Sequence, residues 1–223
     1  MFSHPPLTGR KIVIVGCSGS GKVPSPDFPS LTQSTLGEQL AQNFSLPFLC
    51  LDALSHQPHW QDTPPDVFRN QVLDFVAANP HGWVIDGNYT KTVRDITWAS
   101  ASDIIWLDFP IFVVLWRLWF RTIERIRSGV KLWGMEGCVE TWQVQFFSRK
   151  SLLYHLLSVG ADESLWVFWF YWYRRPVFYR YLVGKEKGSL EGINVIWFRW
   201  PSKTQAWLAE LEDSTKLSSK KSK

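Results

Sequence analysis

The chain has 223 residues, of which 45% are hydrophobic and 20% are charged, so it has enough apolar residues for one large core and is not a disordered polyelectrolyte. Its net charge of +4 is spread along the sequence apart from the closing run Lys220, Lys221 and Lys223, and this does not favour a nucleic-acid-binding protein. Three cysteines at unrelated spacings indicate neither a disulfide framework nor a zinc site, and they favour a reducing, cytoplasmic compartment.

No segment of the sequence predicts a membrane span. The N-terminal stretch MFSHPPLTGRK has prolines where a secretory signal would be apolar. A bilayer span needs about 20 apolar residues. Segment 104–120 is interrupted by Asp108, Pro110 and Arg117, and the tryptophan-rich segment 165–173 is too short. Segment 165–173 is interpreted either as a buried or partner-covered aromatic segment or as a contact with a membrane interface.

Short apolar runs rich in β-branched residues alternate with helical stretches along the chain. This alternation is typical of a parallel sheet covered by helices on both faces. The predicted strands are 11–15, 48–51, 83–85, 103–107 and 195–198, and the predicted helices are 34–44, 66–78, 112–127, 140–158 and 202–212. The sequence therefore predicts one α/β domain over residues 1–213, followed by a disordered basic tail at 214–223.

The residues at the ends of the first four predicted strands are a glycine and three aspartates, Gly16, Asp52, Asp86 and Asp108. Ligands of open α/β sheets bind beyond the carboxyl ends of the strands, so these residues are expected to face one crevice. Asp86 is a candidate for binding waters of Mg²⁺, and Gly87 lets the backbone approach a ligand. Asp52 is a candidate proton acceptor or ribose ligand, whereas Asp108 is predicted to cap the next helix. For Asp52 and Asp86 a purely structural role at a strand end stays open.

The segment after the first strand fits the phosphate-loop pattern G-x-x-x-x-G-K. Its residues are Gly16, Cys17, Ser18, Gly19, Ser20, Gly21 and Lys22. Glycines in such a loop let backbone N–H groups turn inward around a triphosphate, and the lysine brings a positive charge to the β and γ phosphates. The pattern predicts an ATP site.

The pattern breaks at Val23, where a Ser or Thr hydroxyl should hold Mg²⁺. The expected pair, Ser34 and Thr35, appears only after residues 23–33, and joining Lys22 to Ser34 gives the unbroken run GCSGSGKSTLGEQLAQNF. We therefore interpret 23–33 as an insertion, whose prolines cannot continue a helix. It must loop out or displace Lys22, and displacement would impair a phosphoryl transfer that depends on positioning.

The predicted helix 112–127 carries Arg117, Arg121 and Arg125 at four-residue spacing, which places them on one helix face. Guanidinium groups stabilise the charge of a transferring phosphoryl group, and one such arginine contributes about 10³ to 10⁵ in rate. The alternative is a solvated basic face. His56 and His59 are interpreted as loop histidines, since no third metal ligand follows at a suitable spacing.

Taken in order, the motifs of this chain resemble the adenylate-kinase-like P-loop proteins, and those labelled DNA topology modulation proteins above all. The motifs are GCSGSGK, the split Ser-Thr pair, LDALSHQPHW, WVIDGNYTKTVRD, IIWLDFP and WRLWFRTIERIR. The similarity covers residues 11–151 and resumes over 198–211. It implies a P-loop three-layer sandwich with a five-stranded parallel sheet, ATP with Mg²⁺, an acceptor site over residues 52–86, and a mobile helical lid bearing the three arginines.

The sequence departs from adenylate kinases after the third strand. There a proline and an arginine follow the Asp-Gly pair, whereas this chain has Asn88 and Tyr89, and its nearest cations are Lys91 and Arg94. The resemblance therefore leaves the phosphoryl acceptor unidentified.

Together these features predict an ATP-dependent phosphotransferase acting on a nucleotide, nucleoside or other small hydroxyl acceptor. The predicted catalytic residues are Lys22, Arg117, Arg121 and Arg125, and the predicted ATP ligands are residues 16–22 with Ser34 and Thr35. Ser34 and Asp86 are predicted to hold Mg²⁺, and the predicted acceptor site comprises Asp52, Asp86, Gly87 and Arg94. The alternative functions are a nucleotide-responsive binding protein and a catalytically impaired isoform with little turnover.

Overall fold

The computed structural model describes residues 9–16, 24–25, 28–29, 33–129, 131–139, 141, 175–184, 190 and 192–221. Within these ranges five strands form the main sheet: β1 (Lys11–Gly16), β2 (Phe48–Cys50), β3 (Trp83–Asp86), β4 (Asp103–Leu107) and β5 (Asn194–Phe198). Seven α-helices accompany them: α1 (Gln33–Phe44), α2 (Leu51–Ser55), α3 (Pro65–Ala78), α4 (Thr90–Ser100), α5 (Ile111–Ser128), α6 (Arg175–Leu182) and α7 (Pro201–Lys221).

The five strands lie in the order β2-β3-β1-β4-β5, and each neighbouring pair is parallel. This confirms the predicted α/β class and the five-stranded parallel sheet. β1 is central and is hydrogen-bonded on both edges, which suits its uninterrupted apolar run IVIV. All five strand positions agree with the predicted ones to within one residue at each end.

The direction of each crossover places the helices on the two faces of the sheet. The chain moves from β1 to β2 in one direction and from β3 across β1 to β4 in the other, so right-handed crossovers put α1 and α4 on opposite faces. α7 joins α1, because Asn43 Nδ2 donates to Glu212 Oε1 at 3.0 Å. α3 packs against α4 on the other face. The arrangement is compatible with a three-layer sandwich.

Apolar residues at helical spacing hold the outer layers to the sheet. The buried face of α1 is Leu36, Leu40 and Ala41, and that of α7 is Thr204, Trp207, Leu208 and Leu211. Residues three and four apart share one helix face, so each set forms a single stripe against the strands.

An aromatic column fixes α6 to the sheet and to α4. Trp106 of β4 and Trp197 of β5 are register partners whose rings stack with centroids 5.1 Å apart. Phe178 of α6 lies 6.3 Å from the Trp106 ring and 6.0 Å from the Trp98 ring of α4. Four aromatic side chains from four elements thereby form one continuous contact.

Three helices were not predicted from the sequence, α2, α4 and α6. α4 reads TKTVRDITWAS, whose threonines and β-branched residues have low helix propensity, and burial of Val93, Ile96 and Trp98 stabilises it instead. The predicted helix 140–158 lies outside the described residues apart from Thr141.

The last helix is longer than predicted. Its backbone is helical as far as Lys221, which includes most of the segment 214–223 for which the sequence predicts disorder. Lysine and leucine have high helix propensity, so the lysines and Leu217 allow the helix to continue. Ser214 Oγ also donates a hydrogen bond to the Leu211 carbonyl at 2.7 Å. Among the helices of the described ranges, none is both long and apolar enough to cross a membrane.

Asp103, at the start of β4, is a fully buried carboxylate that ties three segments together. Its Oδ2 lies 2.6 Å from Arg10 Nε and accepts a bond from Ser102 Oγ at 2.7 Å. Its Oδ1 accepts a bond from Asn194 Nδ2 at 2.9 Å. The carboxylate therefore joins the segments entering β1, β4 and β5.

We expect Asp103→Ala to lower the free energy of unfolding by about 3–5 kcal/mol, because it removes one partner from a buried ion pair. Urea denaturation followed by circular dichroism measures this. The matched control is Asp95→Ala, which breaks the exposed Arg69–Asp95 pair and is expected to cost far less. Equal losses for the two variants would contradict a special role for Asp103.

Candidate functional site

The candidate site lies where β1, β3 and β4 end at the same edge of the sheet. β1 ends at Gly16, β3 at Asp86 and β4 at Leu107. The chain leaves β1 toward one side of the sheet and leaves β3 toward the other, so a crevice opens beside the end of β1. This topology brings Gly16 and Asp86 to neighbouring positions, as the sequence predicts.

The side chain of Asn88 forms two hydrogen bonds to the backbone of Gly16, the first glycine of the glycine-rich segment. Its Oδ1 accepts a bond from the Gly16 backbone N–H at 2.9 Å, and its Nδ2 donates to the Gly16 carbonyl. The N–H and the carbonyl of Gly16 are thereby both bound by the Asn88 side-chain amide. In the sequence Asn88 stands out only as a departure from adenylate kinases, and nothing local predicts this contact between residues 72 positions apart.

Gly87 allows Asn88 to form these two hydrogen bonds, because it lets the backbone turn tightly after β3. Its φ is +145°, and its N–H donates to the Ile14 carbonyl at 3.2 Å. A Cβ at this position would lie 2.7 Å from Leu51 Cβ. Glycine is thus required here for backbone conformation and for close approach to α2.

Asp86 is buried, with 3% of its surface exposed, at the carboxyl end of β3. It is the register partner of Ile14 in β1 and of Cys50 in β2. Burial, followed by the nearby Asp86 charge, raises the pKa of the Cys50 thiol to about 11. The thiol is therefore protonated at neutral pH and is a poor nucleophile.

Asp52 lies in the first turn of α2 and is exposed. Ser55 Oγ donates to the Asp52 carbonyl at 2.9 Å and lies 2.6 Å from the Tyr89 hydroxyl. Burial, followed by the Asp52 charge, raises the pKa of Tyr89 well above its ordinary value, so the phenol stays protonated. Asp52, Ser55 and Tyr89 form a polar group beyond the end of β2, of which the sequence predicted Asp52 alone.

Most of the predicted phosphate loop, residues 17–22, lies outside the described residues, as does Val23. The structure places Gly16 at the end of β1 and begins α1 at Gln33, so Ser34 and Thr35 stand in the first turn of that helix. Within the intervening insertion, Pro24–Ser25 pairs antiparallel with Phe28–Pro29. Pro24 and Pro29 of the insertion therefore lie in a short antiparallel pair of segments before the helix.

The arginine row of α5 is not a solvated basic face. Arg117, Arg121 and Arg125 are each only partly exposed, and the Arg117 guanidinium carbon lies 5.4 Å from the centroid of the Phe109 ring. Burial lowers the pKa of Arg117. The strongly exposed side chains are aromatic instead, with Phe112 80% and Trp116 67% exposed. The row thus lies on the protein side of α5.

Arg117 is the member of the row that the structure places at the carboxyl edge of the sheet. Phe109, which it contacts, follows the end of β4 by two residues. Arg121 and Arg125 lie one and two turns further along α5, at about 5.4 Å per turn. Arg121 and Arg125 are therefore further along the helix from the contact that Arg117 makes with Phe109.

The predicted capping role of Asp108 is wrong. α5 begins after Pro110 with no side-chain cap, and Asp108 is buried. Its Oδ1 lies 2.6 Å from Arg175 Nε, and its Oδ2 accepts bonds from Arg175 Nη2 at 3.0 Å and Trp197 Nε1 at 3.2 Å. The buried carboxylate binds a fork-shaped cation from a distant segment, a pairing that local sequence does not reveal.

Arg94, a predicted acceptor ligand, is not brought to the crevice. Its guanidinium carbon lies 4.4 Å from the Tyr181 ring centroid and 5.9 Å from that of Trp98. The cavity that it lines is also lined by Ala101 and Gly192, which precede β4 and β5. Arg94 therefore belongs to the amino-terminal edge of the sheet, opposite the crevice.

His56 and His59 were predicted to lie in a loop, but His56 begins a two-residue strand that pairs antiparallel with Gln61–Asp62, and His59 lies in the 3-10 turn between these strands. This small hairpin contacts the segment after α5. The His56 ring lies 5.6 Å from the Trp60 and Trp133 rings, and the His59 N–H donates to the Glu136 carbonyl at 2.9 Å. Among the described residues, no group of three His, Cys, Asp or Glu side chains is close enough to share a metal ion. These contacts join the segment after β2 to the segment after α5.

Comparison with known proteins identifies no family for this chain. No family model matches it, and no curated protein matches it either.

We expect the Cys50 thiol to alkylate about a hundredfold more slowly at pH 8 than an unhindered thiol of pKa 9.0, because a pKa of about 11 lowers the thiolate fraction by that factor. The rate should rise as the pH approaches 11. Iodoacetamide labelling with peptide-resolved mass spectrometry measures this rate for Cys50 alone.

Asp86→Asn should accelerate labelling of Cys50, since it removes a charge that raises the thiol pKa. Asp52→Asn is the matched control and should accelerate it less, because its charge ranks lower among the causes. An unchanged rate in Asp86→Asn would contradict the proximity of the two groups.

Proposed function

We propose that this chain is an adenylate-kinase-like P-loop protein that binds ATP with Mg²⁺ and transfers the γ-phosphoryl group to a small hydroxyl acceptor. The observation that carries the proposal is the position of the glycine-rich run. GCSGSGK leaves the central strand of a parallel sheet at the switch point of the strand order, and a helix beginning at Gln33 follows it. This is the setting in which a glycine-rich loop and a helix start bind phosphate.

The two ends of the loop support this proposal. Asn88 holds the Gly16 backbone at one end, and Ser34 and Thr35 stand in the first helical turn at the other. Lys22 would bring its ammonium group to the β and γ phosphates. The paired segments Pro24–Ser25 and Phe28–Pro29 favour an insertion that loops out over one that extends the helix.

Asp86 suits Mg²⁺, because a buried carboxylate beside the phosphate loop supplies a hard oxygen ligand. Mg²⁺ in such sites takes one or two protein ligands and completes its shell with phosphates and water, so no cluster of carboxylates is needed. Ser34 would supply the second protein ligand. When bound, the ion neutralises negative charge on the phosphate oxygens.

The transfer joins the acceptor oxygen to the γ phosphorus and breaks the bond to the β–γ bridging oxygen, releasing ADP. Lys22 and Arg117 stabilise charge on the phosphoryl oxygens, and Asp52 takes the acceptor proton. Gly87 keeps the turn after β3 close to Leu51, the residue before Asp52. We propose a nucleotide, a nucleoside or another small hydroxyl compound as the acceptor. We propose the cytoplasm as the compartment, because it supplies ATP and keeps cysteines reduced.

The first test is calorimetric titration of Mg-ATP into the full chain, into Lys22→Ala and into a version lacking residues 23–33. We expect the full chain and the shortened version to bind, and Lys22→Ala to bind at least about tenfold more weakly, since one lysine–phosphate contact is worth on the order of 1.4 kcal/mol or more. Absence of binding by both the full and the shortened chain would overturn the proposal. Binding by the shortened chain alone would identify this chain as an impaired isoform.

Turnover is tested by coupled ADP release across nucleotides, nucleosides and other small alcohols. We expect Arg117→Gln to lower kcat by about 10³ with little effect on Mg-ATP affinity, because its charge acts on the transferring group. Arg127→Gln, on the exposed end of the same helix, is the matched control and should leave kcat unchanged. Tight ATP binding with no acceptor-stimulated ADP release would favour a nucleotide-responsive binding protein instead.

A further inference from the structure

A cavity of about 540 Å³ lies at the amino-terminal edge of the sheet, on the side opposite the candidate crevice. Its walls come from the end of α4, from α6 and from the segment that enters β5, and they include Arg94, Trp98, Ala99, Tyr181, Leu190 and Ile193. A strand of five residues spans roughly 16 Å, so the cavity is separated from the crevice by about that distance. Its volume is within the range of small-molecule sites, about 300–1,000 Å³.

Arg94 is the charged group of this cavity. In the part of the chain that the structure describes, no carboxylate forms an ion pair with it and no acceptor receives a hydrogen bond from its guanidinium. The neighbouring Asp95 is engaged by Arg69, whose Nη1 donates to Asp95 Oδ1 at 2.8 Å. A half-buried guanidinium with five N–H donors therefore lies beside an open cavity, with no counter-charge from the residues that the structure describes.

The aromatic rings around Arg94 determine what the cavity can bind. The guanidinium carbon lies 4.4 Å from the Tyr181 ring centroid, a cation–π contact that holds the side chain in place. The N–H edge of a stacked guanidinium remains available for two parallel hydrogen bonds to a carboxylate or phosphate. The remaining walls are apolar at Ala99, Leu190 and Ile193, which suits an uncharged body attached to the anion.

We propose that this cavity binds a small organic anion, in which a carboxylate or phosphate monoester meets Arg94 and a flat apolar group lies against Tyr181, Leu190 and Ile193. The juxtaposition of an arginine, an aromatic ring that supports it and apolar walls carries the inference. The site is distinct from the proposed ATP crevice and does not depend on ATP binding.

Phenyl phosphate is a suitable probe, titrated calorimetrically into the full chain, with inorganic phosphate and benzyl alcohol as the separated halves of the ligand. We expect phenyl phosphate to bind at least about tenfold more tightly than either half. Arg94→Gln should lose at least about tenfold in affinity, equivalent to 1.4 kcal/mol. Arg94→Lys should lose less, because it keeps the charge without the fork.

Matched variants localise the site. Ala99→Trp fills the cavity from an exposed helix position and should abolish binding without affecting the fold, which the melting temperature checks. Arg180→Gln removes an equal charge next to Tyr181 from an exposed position outside the cavity and should bind as the full chain does. Lys22→Ala should also bind normally, since the proposed phosphate loop is a different site.

Several results would overturn the proposal. They are undiminished binding by Arg94→Gln, equal losses in Arg94→Gln and Arg180→Gln, and loss of binding in Lys22→Ala, which would place the probe in the crevice. A failure of ATP binding in the calorimetric test above leaves this result unaffected, so the two proposals succeed or fail separately.

Discussion

β1 lies between β3 and β4 and sets the register of the strands on both sides. β1 is hydrogen-bonded along both edges, and its residues 12–16 are almost completely buried. A parallel strand in this position cannot shift its register without exposing apolar surface and breaking two ladders. The end of β1 at Gly16 is therefore fixed, and with it the place where the glycine-rich run begins. Asn88 extends this constraint to the segment after β3 by binding both polar groups of the Gly16 backbone.

Arginines in this chain are stabilised by aromatic rings as well as by carboxylates. Arg94 lies over Tyr181, Arg117 over Phe109 and Arg199 over Trp197. These contacts allow cations to stand at the margins of the core, because an aromatic face offsets part of the cost of removing charge from water. Aromatic side chains therefore support arginines at both edges of the sheet. These contacts also show where each arginine lies. Arg117 contacts Phe109 at the carboxyl edge of the sheet, whereas Arg94 contacts Tyr181 at the amino-terminal edge.

The two chain segments beyond the carboxyl edge of the sheet are joined through their own side chains. His56 and Trp60 follow β2, whereas Trp133 and Glu136 follow α5, and the rings and backbone of these segments are in direct contact. The segment that follows Asp52 and the segment that follows α5 are thereby held in contact. Under the proposed function, this contact would help to exclude water during phosphoryl transfer.

Local sequence was enough to predict the α/β class, the five strands to within one residue, and the meeting of Gly16 and Asp86 at one sheet edge. These features follow from the local succession of apolar runs and from the rule that parallel strands share a carboxyl edge. Tertiary structure alone decided the role of Asp108, which pairs with Arg175, and the role of Asn88, which binds Gly16. It also decided the place of Arg94. Each of these contacts joins residues distant in the chain, and whether a polar side chain serves a site or a buried pair depends on the partner that folding brings to it.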